Sequence, residues 1–140
     1  MRWAVLLLAV VCLGGPDRPD KQPATSEKDL LQGTWKLVRV ELLDNRVLGA
    51  ELRIAGNKFI IKEKWGKVTE CSFQLPPSRG IKKIDLVVKR SKGNHTVRGV
   101  YRIQGNTLTM CMNYFTGTRP TDFHAKFPTG VVFTWQKQQK

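Results

Sequence analysis

The chain has 140 residues, enough for one hydrophobic core and too few for two. Apolar residues at 41% and aromatics at 9% exclude a disordered chain. A formal charge of +13 favours contact with anionic polymers or lipid headgroups, although the bases are spread along the chain, which equally fits a solvated lysine-rich surface.

Met1-Arg2 followed by eleven uncharged residues, Trp3 to Leu13, has the pattern of a secretory signal. The run is shorter than the about 20 apolar residues of a membrane span. Gly14 and Gly15 offer small residues for cleavage. Residues 1–14 are therefore read as a signal peptide, and the mature chain as exported, periplasmic or secreted, with no transmembrane span. Cys12 could instead carry a lipid, but Val11 before it is not small, so plain cleavage is preferred. Residues 15–25 hold three prolines and several charges and read as a flexible tether. Residues 26–140 are read as the folded domain.

Ser26-Glu27-Lys28-Asp29 predicts a helix start, with an acceptor at Ser26 and an acid three residues later. Leu30 and Leu31 continue it and Gly33 ends it. From Thr34 onward no helical period persists. Runs rich in Val, Ile, Phe and Thr predict strands at Trp35–Glu41, Val47–Ile54, Lys58–Lys64, Val68–Leu75, Ile81–Val88, Thr96–Ile103, Thr107–Met112 and Val131–Lys137, with a further short strand at Thr121–Lys126. Turn formers separate them at Asp44-Asn45, Gly56-Asn57, Pro76-Pro77-Ser78, Lys92-Gly93-Asn94 and Gly105-Asn106. About eight short strands with short links predict an all-β fold, an up-and-down antiparallel barrel.

Alternation assigns the two faces. Leu108, Met110 and Met112 oppose Cys111; Val131, Phe133 and Trp135 share one face; Ile84, Leu86 and Val88 oppose Asp85. Cys71 shares a face with Phe73, so Cys71 and Cys111 point to different sides. An oxidising compartment allows a disulfide between them, and the parity does not favour it.

Leu31-Gln32-Gly33-Thr34-Trp35 is followed in order by Ile84-Asp85-Leu86, Gly99-Val100-Tyr101, Gly105 to Cys111 and Arg119 to Phe123. This ordered set resembles a small lipocalin-like (calycin-type) domain family of unknown function that is expanded in planctomycete bacteria. The likeness runs from about Asp29 to Lys137 and implies an exported β-barrel preceded by a short helix, with no catalytic residues to carry over. Gly33-x-Trp35 is similar to the opening of lipocalin barrels, which implies that Trp35 is a structural plug covered by a late arginine, here Arg119 with Arg102 behind it. The long helix that usually follows a lipocalin barrel has no counterpart here, which weighs against a lipocalin-sized cavity.

No Cys-x-x-Cys, His-Glu-x-x-His, Gly-x-Ser-x-Gly or phosphate-loop pattern is present, so no metal, cofactor or hydrolase chemistry is expected. Asp122 and His124 share one face of an extended segment and could orient a general base with Arg119 nearby; an exposed ion pair is the plainer reading. Asp85 is expected to face solvent or to pair with Lys83 or Arg98.

The reading is a non-enzymatic, monomeric exported barrel that binds a small apolar or amphipathic ligand, with Phe59, Ile61, Tyr101, Met110 and Phe133 around the interior. The alternative is a basic surface of Lys58, Lys62, Lys64, Trp65 and Lys67 that binds an anionic envelope polymer. Nucleic acid is not the expected partner of an exported chain. Lysines that merely blunt sheet edges would give the same pattern as the alternative.

Overall fold

A computed structural model describes residues 26–41, 47–126, 128 and 130–139. The expected signal peptide (1–14), tether (15–25), Cys12 and the Asp44-Asn45 turn lie outside the described residues. The chain starts with one short helix, α1 (Glu27–Leu31). The Ser26 hydroxyl accepts a hydrogen bond from the Asp29 N–H at 3.1 Å, and Glu27 and Asp29 place acids in the first turn, where the exposed N–H groups favour them. Gln32 ends the helix and ties it to the barrel. Its amide donates to the Gly56 carbonyl at 2.9 Å and accepts from the Gly56 N–H at 2.7 Å.

Eight strands follow: β1 (Gly33–Glu41), β2 (Glu51–Ala55), β3 (Lys58–Lys62), β4 (Val68–Gln74), β5 (Lys82–Arg90), β6 (Gly93–Gln104), β7 (Thr107–Asn113) and β8 (Val131–Lys137). Each pairs antiparallel with the next and β8 returns to β1, closing the barrel and leaving no open sheet edge. The fold expected from turn spacing and alternation is therefore the fold observed. Boundaries move at a few places. Val47 to Gly49 forms a tight turn before β2, with Gly49 at φ 87°, and the Ala50 N–H closes on the Val47 carbonyl at 3.1 Å.

Thr121–Lys126 is not a strand; only an isolated bridge between Lys126 and Gly130 forms there. The segment finds no strand to pair with because the barrel is already closed. It lies over the outer wall instead, where Phe123 and Ala125 pack on Val100, Cys111 and Val132 in a second, smaller core. The Arg102 guanidinium sits 4.5 Å from the Phe123 ring centre.

Inside, strand parity is as the alternation predicts for β5, β7 and β8. Ile84, Leu86, Leu108, Met110, Met112 and Trp135 join the main core, and Cys111 faces outward into the second one. Cys71 and Cys111 are both buried free thiols. β1 breaks its own parity. A register shift between Leu37 and Arg39 leaves Val38 exposed and turns Val40 inward, although the two are of equal parity in sequence. Gly99 is required by close approach: a Cβ there would fall 2.6 Å from the Cys111 carbonyl oxygen and on top of the Met112 Sδ.

The α1 end of the barrel is packed solid. Trp35 and Leu31 have no exposed surface, and the indole N–H of Trp35 donates to the Leu31 carbonyl at 2.9 Å. The expected arginine cover is absent. The cation over the Trp35 ring is Lys137, with Nζ 5.3 Å from the ring centre. Its stem crosses Gly33, where a Cβ would lie only 3.0 Å from Cε and where φ is 127°. A side chain at position 33 would push that lysine off the indole. Arg119 is committed elsewhere, on the outer wall.

Candidate functional site

The other end of the barrel is not filled. A cavity of about 220 Å³ lies between the packed core and the rim. Phe59 and Ile61 of β3 face it, because residues two apart share a strand face, and Glu63 just after the strand joins them. Leu86 of β5, Met110 of β7 and the Phe133–Trp135 pair of β8 form the opposite wall. Phe133 and Trp135 stack with ring centres 6.2 Å apart, and Tyr114, just beyond β7, stands edge-on to Phe133 at 6.1 Å. Leu37 and Ala50 close the remaining side.

Few polar groups reach this lining. Glu63 and Thr69 stand in the wall, and Tyr114 adds a phenol. Trp135 is 5% exposed, and among the described residues its Nε1–H has no hydrogen-bond partner. A buried donor left unmade costs about 1–3 kcal/mol. That N–H is sealed from the cavity space, so a ligand reaches it only if the wall moves. Cys71 is a neighbour of the cavity residue Phe59 in the β3–β4 pairing. Burial, and then the charge of Glu70, push its thiol up to about 11, so it stays protonated at neutral pH and is not a nucleophile.

Of the five residues expected around a ligand, Phe59, Ile61, Met110 and Phe133 line this cavity. Tyr101 does not. It lies inside the barrel but toward α1, 2% exposed, with its hydroxyl donating to the Glu27 carboxylate at 3.1 Å. Burial first, then the charge and hydrogen bond of Glu27, raise the phenol above its ordinary range. Lys82 Nζ completes that corner, 2.9 Å from the same carboxylate oxygen. Tyr101 thus anchors the helix to the barrel. Leu86, Trp135 and Tyr114 are among the lining residues that the expected ligand set missed. The first two carried a signal, since both fall on predicted inward faces.

The basic set divides as well. Lys62, Lys64, Trp65 and Lys67 cluster at the β3–β4 hairpin, where Trp65 is 77% exposed. Lys58 starts β3 at the far end of the strand and pairs with Glu70 at 3.3 Å.

The third constellation, Arg119, Asp122 and His124, borders one depression of the outer wall. Its groups do not act on a common point. Arg119 Nη1 donates to the Gly99 carbonyl at 2.9 Å and lies 2.9 Å from Asp85 Oδ1, with both side chains mostly buried. Among the described residues Asp85 Oδ1 has this charge contact and no hydrogen-bond partner, since the guanidinium N–H groups point at strand carbonyls. Asp85 therefore pairs with Arg119 rather than with Lys83, Arg98 or solvent. His124 Nδ1 lies 3.3 Å from Asp122 in an exposed pair. The His124 backbone N–H and then its imidazole hold the Asp122 carboxyl below the usual range. Among the described residues no three His, Cys, Asp or Glu side chains group closely enough to hold a metal ion, and no helix is long and apolar enough to cross a membrane.

No protein-family model, curated protein or solved structure matches this chain, so its barrel topology stands on its own strand pairing.

Proposed function

We propose that this chain is a non-enzymatic, exported lipocalin-like domain that binds a small, mainly apolar ligand in the cavity at the open end of its barrel. The observation that carries the reading is the cavity itself. It is apolar on nearly all sides and sits at the end of the barrel away from α1. Export is supported by the uncharged run after Met1-Arg2, and the lipocalin-like assignment by the ordered segments from Leu31 to Phe123.

Size narrows the ligand. Pockets for drug-sized molecules run from about 300 to 1,000 Å³. An apolar cavity of about 150 Å³ takes one benzene. The 220 Å³ found here therefore suits about nine heavy atoms. A ligand with an apolar body and one small polar group set toward Glu63, Thr69 or Tyr114 fits this wall.

1-Octanol has that shape and is a direct probe. Calorimetric titration is expected to show saturable binding to the wild-type chain. Met110→Trp, which places an indole in the cavity, should weaken it at least about tenfold, the loss of roughly 1.4 kcal/mol. Ala50→Met fills the same space from another wall and serves if the first variant melts early. Equal octanol binding by both folded variants would refute the reading.

A further inference from the structure

Connections in an up-and-down barrel alternate between its two ends. The β1–β2, β3–β4, β5–β6 and β7–β8 links therefore share the end where the cavity opens, while α1 and the remaining links share the other. That open end carries an unusual surface. Trp65 stands at the β3–β4 tip, 77% exposed, with the Lys64 ammonium 5.9 Å from its ring centre. Val68 at 57% and Tyr114 at 43% add exposed apolar area on the same end. An exposed indole with further aliphatic and phenolic surface on the same barrel end marks an interaction site more often than a solvated face.

Cations flank it. Lys62, Lys64 and Lys67 surround the β3–β4 hairpin, and Lys89, Arg90 and Lys92 line the β5–β6 hairpin beside it, since β4 and β5 are paired. The acids at this end offset little of that charge. Glu41 is matched by Arg39 at 3.6 Å, Asp122 by His124 at 3.3 Å, and Glu63 is turned toward the cavity. Among the described residues the other acids on this side are Glu51, across from Lys62 in the strand pairing, and Glu70, which Lys58 meets at 3.3 Å.

We propose that the open end of the barrel docks on an anionic phospholipid surface, with Trp65 entering the headgroup layer and the two lysine-rich hairpins lying against the charged lipids. Tryptophan and tyrosine settle at that layer because one part of the ring is apolar and the other polar. Each Lys or Arg held near such a surface strengthens binding by about fivefold. A soluble polyanion would engage the cations equally but leave Trp65, Val68 and Tyr114 in water, so the apolar area favours the bilayer. The cavity mouth then faces the lipid, which lets a small apolar ligand pass without crossing water. Docking itself does not depend on the cavity reading.

The test is flotation of the full chain with vesicles of phosphatidylcholine alone or with about 30% phosphatidylglycerol. Binding is expected only to the anionic vesicles, falling steeply with salt. Lys64→Glu with Lys67→Glu should weaken it at least about tenfold. Bromine-labelled lipid should quench wild-type fluorescence more than that of Trp65→Phe. All variants share the same residues ahead of Ser26, so any contribution from that segment is common to them. None of the substituted residues lines the cavity, so octanol binding should be unchanged, and Met110→Trp should still float. Binding that ignores lipid charge, or the charge-reversal variant, or quenching that Trp65→Phe leaves unaltered, would overturn the proposal. So would retention on heparin without any vesicle binding, which would make the rim a site for soluble polyanions.

Discussion

Replacing Trp35 by alanine tests the packed end of the barrel. A tryptophan removes about 200 Å² from water when fully buried, worth about 5 kcal/mol at 25 cal/mol per Å². Alanine retains a small part of that, and the Leu31 carbonyl loses the indole N–H that now meets it at 2.9 Å, adding about 1 kcal/mol. The expected loss is about 4–5 kcal/mol, at the upper end of large-to-small core substitutions. A domain of this size has about 6–17 kcal/mol to lose, so the variant should still fold. Urea unfolding followed by far-ultraviolet circular dichroism reads the change without depending on the deleted fluorophore. At a slope of about 2 kcal/mol per molar, the midpoint should fall by about 2 M. Trp35→Phe keeps most of the apolar area and loses the N–H, so it should cost only about 1–3 kcal/mol. A loss under about 1 kcal/mol for alanine would refute the claim that this indole closes the barrel.

Two further outcomes follow from buried charges and thiols. Arg119→Met strands the mostly buried Asp85 carboxylate and should destabilise by about 2–4 kcal/mol, whereas adding Asp85→Leu should recover most of it. A double variant no more stable than the single one in chemical denaturation would show that Asp85 is not the cause. Burial holds both Cys71 and Cys111 at about 11, so between the ordinary thiol range near 9 and that value the unfolded chain has released protons that the folded chain still binds. Stability should therefore fall as pH rises from about 9 to 11, by at most about 3 kcal/mol per thiol. Thermal melts across that window should be visibly flatter for Cys71→Ala with Cys111→Ala. An unchanged slope would refute the assignment.

Much of the barrel was legible because a strand shows its two faces locally. Ile84, Leu86 and Val88 against Asp85, or Met110 and Met112 against Cys111, need only the pleat of one segment to be sorted. The same parity found four of the residues that line the cavity. It failed at β1, where a bulge reverses the inward set after Leu37, because a bulge depends on the register demanded by β8. It also placed Tyr101 correctly inside the barrel but could not say at which end.

Local pattern thus determined the short capped helix, the strands and the closed antiparallel class, since capping, turn chemistry and alternation act between residues close in sequence. Tertiary structure decided the rest. Lys137 rather than Arg119 covers Trp35, Arg119 meets Asp85, the Thr121–Lys126 segment wraps the outer wall, and the barrel is packed at one end and hollow at the other. Each of these depends on how far strand tilt and register carry one side chain toward another across a closed sheet, and no segment records that distance in its own sequence.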